Sequence, residues 1–290
     1  MKHGFREPWS TVAWFLAPAL LGLGLFRLAP IAIALVGGFT GTRLTGETVW
    51  VGLRNYRRLV EDPSFWNAVE VTLLFNLIVN PLQIVISFGL ALLVLRPTPL
   101  VPFFRAAYMA PMTVSLSLTS ILWAILLEPT MGPVNGLLRS LGLPPQPFWR
   151  GEDQALATLI GVASWKGVGY WMVFLLAGLL LVPKELHEAA MIDGAGAAAR
   201  FRWVTLPLMR RPLAFVLVAD TAANFLLFAP VYLITQGGPN GATALLMFEA
   251  YQAAFTYLDK GRALAISSVI LLVIGVLALL ELRLLRERGG

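Results

Sequence analysis

The residues of this chain that could do covalent or metal chemistry are few and scattered. It has two histidines, His3 and His187, and no cysteine, which excludes disulfides, thiolate zinc sites and cysteine-held clusters and leaves the redox compartment unread. It carries no HExxH, no paired histidines, no Gly-x-Ser-x-Gly and no Walker lysine motif. One acid, Asp220, stands inside an apolar run, with Asn224, Phe228 and Val231 following at helical spacing. A carboxylate at the centre of a membrane helix costs about 2.5–3.5 kcal/mol on insertion scales unless it faces protein or water. Asp220 therefore marks either a polar pathway or a structural hydrogen bond between helices, and Asp220, Asn224 and Phe228 are the candidate pathway residues. No second carboxylate in a comparable run offers Asp220 a protease-like dyad, and no catalytic residue, metal ligand or cofactor is expected. A membrane enzyme acting on lipid or carbohydrate is the alternative from another class, and it lacks a grouped set of nucleophiles and bases.

The other informative stretch is residues 183–212, PKELHEAAMIDGAGAAARFRWVTLPLMRRP, a basic segment between two strongly apolar ones. Pro183 suits a first helical position, Lys184 to Asp193 supply about three turns, and Gly194 sits where a helix end wants positive φ. A second short helix is expected from about Ala197 to Thr205, with Pro207 discouraging its continuation. Glu188 lies beside Ala189 and Ala190, side chains so small that a partner's backbone could approach closely. For Glu188 alone a solvated surface acid is the favoured reading; the whole run points to docking.

The pattern Glu188-Ala189-Ala190-x-x-Asp193-Gly194-Ala195, then Phe201, Leu206-Pro207 and Pro212, resembles the EAA loop of ABC-importer permeases. Weaker likenesses to sugar-type permeases lie at Val51 to Tyr56 and at Thr235-Gln236-Gly237-Gly238-Pro239 with Thr243, Tyr251, Phe255 and Gly261, while Glu70-Val71-Thr72 departs from the Asn-Thr pair common there. The resemblance implies a carbohydrate importer of the maltose or glycerol-phosphate type in the cytoplasmic membrane. In that family the loop is the coupling helix that fits a groove on an ATP-binding subunit, so Glu188, Ala189, Ala190, Asp193, Gly194, Ala195, Leu206 and Pro207 become the expected ATPase-docking residues. The implied partners are a second, homologous permease, two ATPase subunits, an extracytoplasmic solute-binding protein and membrane lipid. ATP hydrolysis is then a partner's work.

The elements that must position these residues follow from composition. At 290 residues, 58% hydrophobic and 13% charged, the chain has too few charges to solvate a globular surface and reads as a single all-α, polytopic membrane domain over 1–290. Six spans are expected at about 12–36, 68–95, 103–126, 155–181, 213–235 and 263–282. An even number puts both termini on one side. If that side is the cytoplasm, Lys2, Arg6, Arg96, Arg105, Lys184, Arg200, Arg202, Arg210, Arg211, Arg283, Arg286 and Arg288 lie inside. Arg43, Arg54, Arg57, Arg58, Arg139, Arg150, Lys260 and Arg262 then lie outside. The net charge of +6 thus belongs to short loops, where topology explains it without nucleic acid. The apolar stretch after Arg6 is too long for a signal-peptide core and reads as a retained first helix.

Some residues carry finer expectations. Tyr56, Phe65 and Trp66 suit an amphipathic segment in the headgroup zone, and Asn76, Asn80 and Gln83 call for a protein-facing side on span two. Lys166 lies ~24 Å along its helix from the inner boundary, within snorkelling distance of the outer surface. Arg27, beside Pro30, has no assigned role.

Overall fold

The computed structural model describes residues 9–42, 47–95 and 98–286. Lys2, His3, Arg6, Arg43, Arg96, Pro97, Glu287 and Arg288, to which the sequence assigned sides or turns, lie outside the described residues. The chain forms two compact units, residues 1–61 with 250–272 and residues 62–249 with 273–290.

In the first unit, α1 (Trp9–Leu23) runs through a π turn, Gly24–Leu28, into α2 (Ala29–Gly37). Pro30 has no N–H to give, and the wider turn before it lets the helix pass without breaking. Trp14, Phe15 and Phe26 are exposed, as a lipid-facing helix requires, and Arg27 is exposed within the π turn. A short antiparallel hairpin follows, β1 (Thr40–Thr42) and β2 (Thr48–Trp50), with Gly41 opposite Val49. Next comes α3 (Arg54–Val60), whose Asn55 donates to the Gly38 and Thr40 carbonyls at 2.9 and 2.7 Å. Its Tyr56 hydroxyl meets Ser268 Oγ at 2.8 Å, on the part of α14 (Lys260–Arg286) that belongs to this unit.

The second unit is built on α4 (Pro63–Leu93) and α8 (Glu152–Leu180), which pack along their lengths with α12 (Arg210–Phe225). Asp62 caps α4 through the Ser64 N–H at 2.9 Å, with Pro63 at the first helical position, so the helix starts earlier than expected. Phe65 is consequently a buried residue of the first turn. Asn76, Asn80 and Gln83 are buried against protein. One core cluster joins Phe88, Ala91, Met172, Leu175, Leu179, Met209 and Val216; a second joins Phe75, Val79, Leu159, Ile160, Val231, Leu245 and Phe248.

Two expected spans are broken. The third is α5 (Val101–Thr113) and α6 (Leu116–Leu126), bent by 99° where Ser115 leaves helical geometry and caps α6 through the Leu118 N–H at 3.2 Å. Lys166 of α8 is half-buried and finds its partners on the protein. Its ammonium donates to the carbonyls of Pro111 at 2.7 Å, Met112 at 3.3 Å and Val114, all at that break. The fifth stops at Phe225 and resumes as a π turn, Val231–Thr235, so Phe228 and Val231 leave the stripe that Asp220 and Asn224 share. Pro230 is the local cause: its ring blocks the preceding turn and leaves the Leu226 carbonyl without a helical donor. Among the described residues, four helices are long and apolar enough to cross a bilayer, with the bent α5–α6 pair a fifth; α12 has 16 residues. Between α6 and α8 lies α7 (Pro133–Ser140), in a loop held by the Glu128 carboxylate.

Candidate functional site

The segment expected to dock folds as two short helices around a tight elbow. Pro183 is the N-cap and not the first helical residue, and α9 runs Lys184–Ile192. Gly194 has φ +78 and donates to the Met191 carbonyl at 3.0 Å, while the Ala195 N–H reaches the Ala190 carbonyl at 2.8 Å. These two bonds are a Schellman closure, which satisfies carbonyls that the helix end would leave unpaired. Nothing lies within 4 Å of where a Gly194 Cβ would sit, so the backbone angle and not space demands glycine. After the elbow, α10 (Ala197–Arg200) continues through a π turn, Phe201–Thr205, into α11 (Leu206–Leu208). Pro207 therefore does not end the second helix. The Leu206 N–H bonds the Phe201 carbonyl five residues back, and the widened turn absorbs the proline.

One side of this foot is bare and the other is rooted. Glu188, Ala189, Asp193 and Gly194 are exposed, Ala190 and Ala195 are half-buried, Ile192 is 87% exposed and Trp203 72%. Leu206 is exposed and Pro207 half-buried at the far end. On the rooted side, the Phe201 ring lies 5.9 Å from that of Phe88 on α4, and Thr205 is buried. Met209 is fully buried among Leu175, Leu179 and Val216. A Cβ on Gly178 would come within 2.9 Å of the Pro212 ring, so α8 and the start of α12 meet closely there. Packed side chains thus tie this segment to α4, α8 and α12. Between the end of α4 and the foot runs an open apolar groove of ~830 Å³, lined by Ile86, Leu90, Leu93, His187, Arg200 and Phe201 among others.

The second set of candidates lies in a polar seam inside the bundle. Asp220 is 2% exposed, and its Oδ1 accepts from Trp171 Nε1 at 2.7 Å and from Asn224 Nδ2 at 3.0 Å. Asn224 Nδ2 also reaches Asn80 Oδ1 at 2.7 Å, and Asn80 Nδ2 donates to Thr221 Oγ1 at 2.8 Å. Three helices, α4, α8 and α12, are thus cross-linked by neutral and carboxylate groups with one buried carboxylate oxygen, Asp220 Oδ2, left without a protein donor. Phe228 is apart from this seam, half-buried, with its ring stacked on Tyr232 at 5.2 Å. Sequence reasoning found Asp220, Asn224 and Asn80 but missed Trp171 as the donor, since an indole gives no periodic signal. It also missed Thr72, whose hydroxyl accepts the Leu246 N–H at 2.8 Å and starts α13 (Leu246–Tyr251). Among the described residues no group of three or more His, Cys, Asp or Glu could hold a metal ion.

Residues 63–288 match the family described as the binding-protein-dependent transport system inner membrane component. The chain is 31% identical over 283 residues to the sn-glycerol-3-phosphate transport system permease protein UgpA of Agrobacterium fabrum, covering 96% of this chain and 91% of that one. It is 30% identical over 275 residues to the sulfoquinovosyl glycerol transport system permease protein SmoG of the same organism, covering 94% and 89%. Its fold is similar to a crystal structure of a bacterial ABC transporter involved in the import of the acidic polysaccharide alginate. The TM-score is 0.83 at 20% identity, over 97% of this chain and 96% of that one. With its apolar helices and these matches, the chain belongs to the binding-protein-dependent transport system inner membrane components, the multi-pass permease subunits of ABC importers, which are transport subunits and not enzymes.

Proposed function

We propose that the chain passes a carbohydrate or polyol phosphate across the cytoplasmic membrane, as one of two homologous permeases moved by two ATPase subunits and supplied by an extracytoplasmic binding protein. The observation that carries this is the foot itself: two short helices around Gly194, bare outside and rooted by Phe201 and Met209 inside. A soluble partner that grips Glu188, Ala189, Ala190, Asp193, Gly194 and Ala195, with Leu206 and Pro207 at the far end, displaces α8 and α12 together. The foot and both termini face the cytoplasm in this reading. The 30–31% relatives named for glycerol 3-phosphate and sulfoquinovosyl glycerol support a polar, glycerol-like or sugar cargo. Asp220 and Asn224 serve the route from behind by holding α12 against α4 and α8, and Phe228, outside the seam, is the member able to meet cargo.

The experiment is reconstitution in liposomes with the genetically adjacent permease, ATPase and binding protein, measuring ATP-dependent accumulation of labelled glycerol 3-phosphate, sugars and polyols. Accumulation of one of these is expected. A chain that never co-purifies with an ATPase, or whose residue 194 is labelled from outside the cell, refutes the reading.

A further inference from the structure

The break in the third span concentrates backbone charge in one place. In an unbroken helix the Pro111 carbonyl would accept the Ser115 N–H, Met112 that of Leu116 and Val114 that of Leu118. At the 99° bend those donors turn away; Ser115 becomes the N-cap of α6 and its Oγ takes the Leu118 N–H. Three carbonyl oxygens at the negative end of α5 are left without helical donors. The ammonium of Lys166 fills that gap, donating to all three. Its three donors match the three acceptors in number.

Reaching the bend requires α8 and α5 to touch, and the neighbouring glycine allows it. A Cβ on Gly169 would stand 1.9 Å from the Tyr108 carbonyl oxygen, so the two backbones are in contact there. Residues three apart share a helix face, which sets Lys166 beside that contact. Lys166 and Gly169, unexplained by coupling or by cargo, are thereby one device, a close approach and a charge placed beside it, while Gly167 lies against Gln83 of α4.

We propose that Pro111, Met112 and Val114 form a cage for a monovalent cation, that the chain fills it with its own Lys166 ammonium, and that this ion fixes the bend between α5 and α6. Lys166 is then a positioning residue, acting on the shape of the third span and not on cargo. The proposal does not depend on the identity of the cargo or on the coupling assignment.

The test measures the bend directly in the assembled importer in lipid nanodiscs. This chain has no cysteine, so Phe103→Cys and Ile125→Cys, both at exposed positions, give its only two spin-label sites. Helix rise puts them ~20 Å apart across the bend and ~33 Å apart in a straight helix. With Lys166 present, the short distance is expected. Lys166→Met and Lys166→Ala should lengthen or broaden it toward the long value, and ethylammonium added to Lys166→Ala should return the short one. An unchanged short distance in both variants overturns the proposal. Should the variants fail to assemble, recovery by ethylammonium or by Lys166→Arg supports it, and failure of both to recover assembly overturns it.

Discussion

Gly194 offers the sharpest perturbation, because its environment isolates a single physical term. Its φ of +78 lies in the left-handed region and no atom lies within 4 Å of a built Cβ, so Gly194→Ala adds backbone strain and no clash. That strain is about 1–2 kcal/mol. A foot that relaxes to escape it must be drawn back into shape on docking, so ATPase affinity should fall by about 5–30-fold. Asparagine tolerates the left-handed region and should lose less. Gly194→Pro forces φ to about −65°, removes the N–H that bonds Met191, and redirects the chain before Ala195 can reach Ala190. Affinity should fall below detection while the chain still inserts in the membrane. The assay is titration of purified ATPase onto the permease complex in nanodiscs, read as binding and as ATP turnover. The expected order is glycine, asparagine, alanine, proline. A proline variant that binds as tightly as the parent, or an alanine variant worse than proline, refutes the account of the elbow.

Three further outcomes follow from the geometry. Glu188→Arg reverses a charge on the bare side of the foot and should abolish uptake with insertion intact; normal ATP-driven uptake by this variant removes Glu188 from the docking surface. Asp220→Asn keeps an oxygen for Trp171 and Asn224 and should assemble normally. Asp220→Leu strands the Trp171 N–H and leaves Asn224 only Asn80 as acceptor, costing about 1–3 kcal/mol, and should alter transport kinetics and lower the thermal midpoint of the complex; equal midpoints for the two variants would contradict a pinning role. The Glu128 carboxylate accepts from the Met131 N–H and from the Thr130 hydroxyl and N–H, with Arg150 at 3.3 Å, and these hold its pKa below the ordinary 4.5. A depressed value means the loop gains stability above about pH 4.5 and loses it as pH falls through the lower folded value. The protection of the Thr130, Met131 and Gly132 amides, taken relative to the intrinsic exchange rate at each pH, should therefore fall on acidification, and Glu128→Gln should flatten that dependence.

What the sequence revealed and what it hid divide along the range of the interactions. The elbow was legible because its causes are local: Pro183 before the helix, Gly194 after it, and two alanines where approach matters. The buried side of α4 was legible because Asn76, Asn80 and Gln83 are costly in lipid. The bend at Ser115 was not, because a run of apolar residues reads as one span and the lysine that completes the bend lies more than fifty residues away. Pro207 and Pro230 misled in opposite directions. At Pro207 a π turn carried the helix through, whereas at Pro230 the preceding turn gave way. The outcome depends on whether neighbouring packing supports a widened turn, and that is tertiary information.

The early stop of α12 at Phe225 has a consequence for the membrane itself. Sixteen residues extend only ~24 Å, against a hydrocarbon thickness of ~30 Å, and the peptide groups just beyond are not all paired within a helix. Such groups call for moisture or polar side chains at that depth. A hydroxyl-rich solute beside this notch would find solvation part-way through the oily layer.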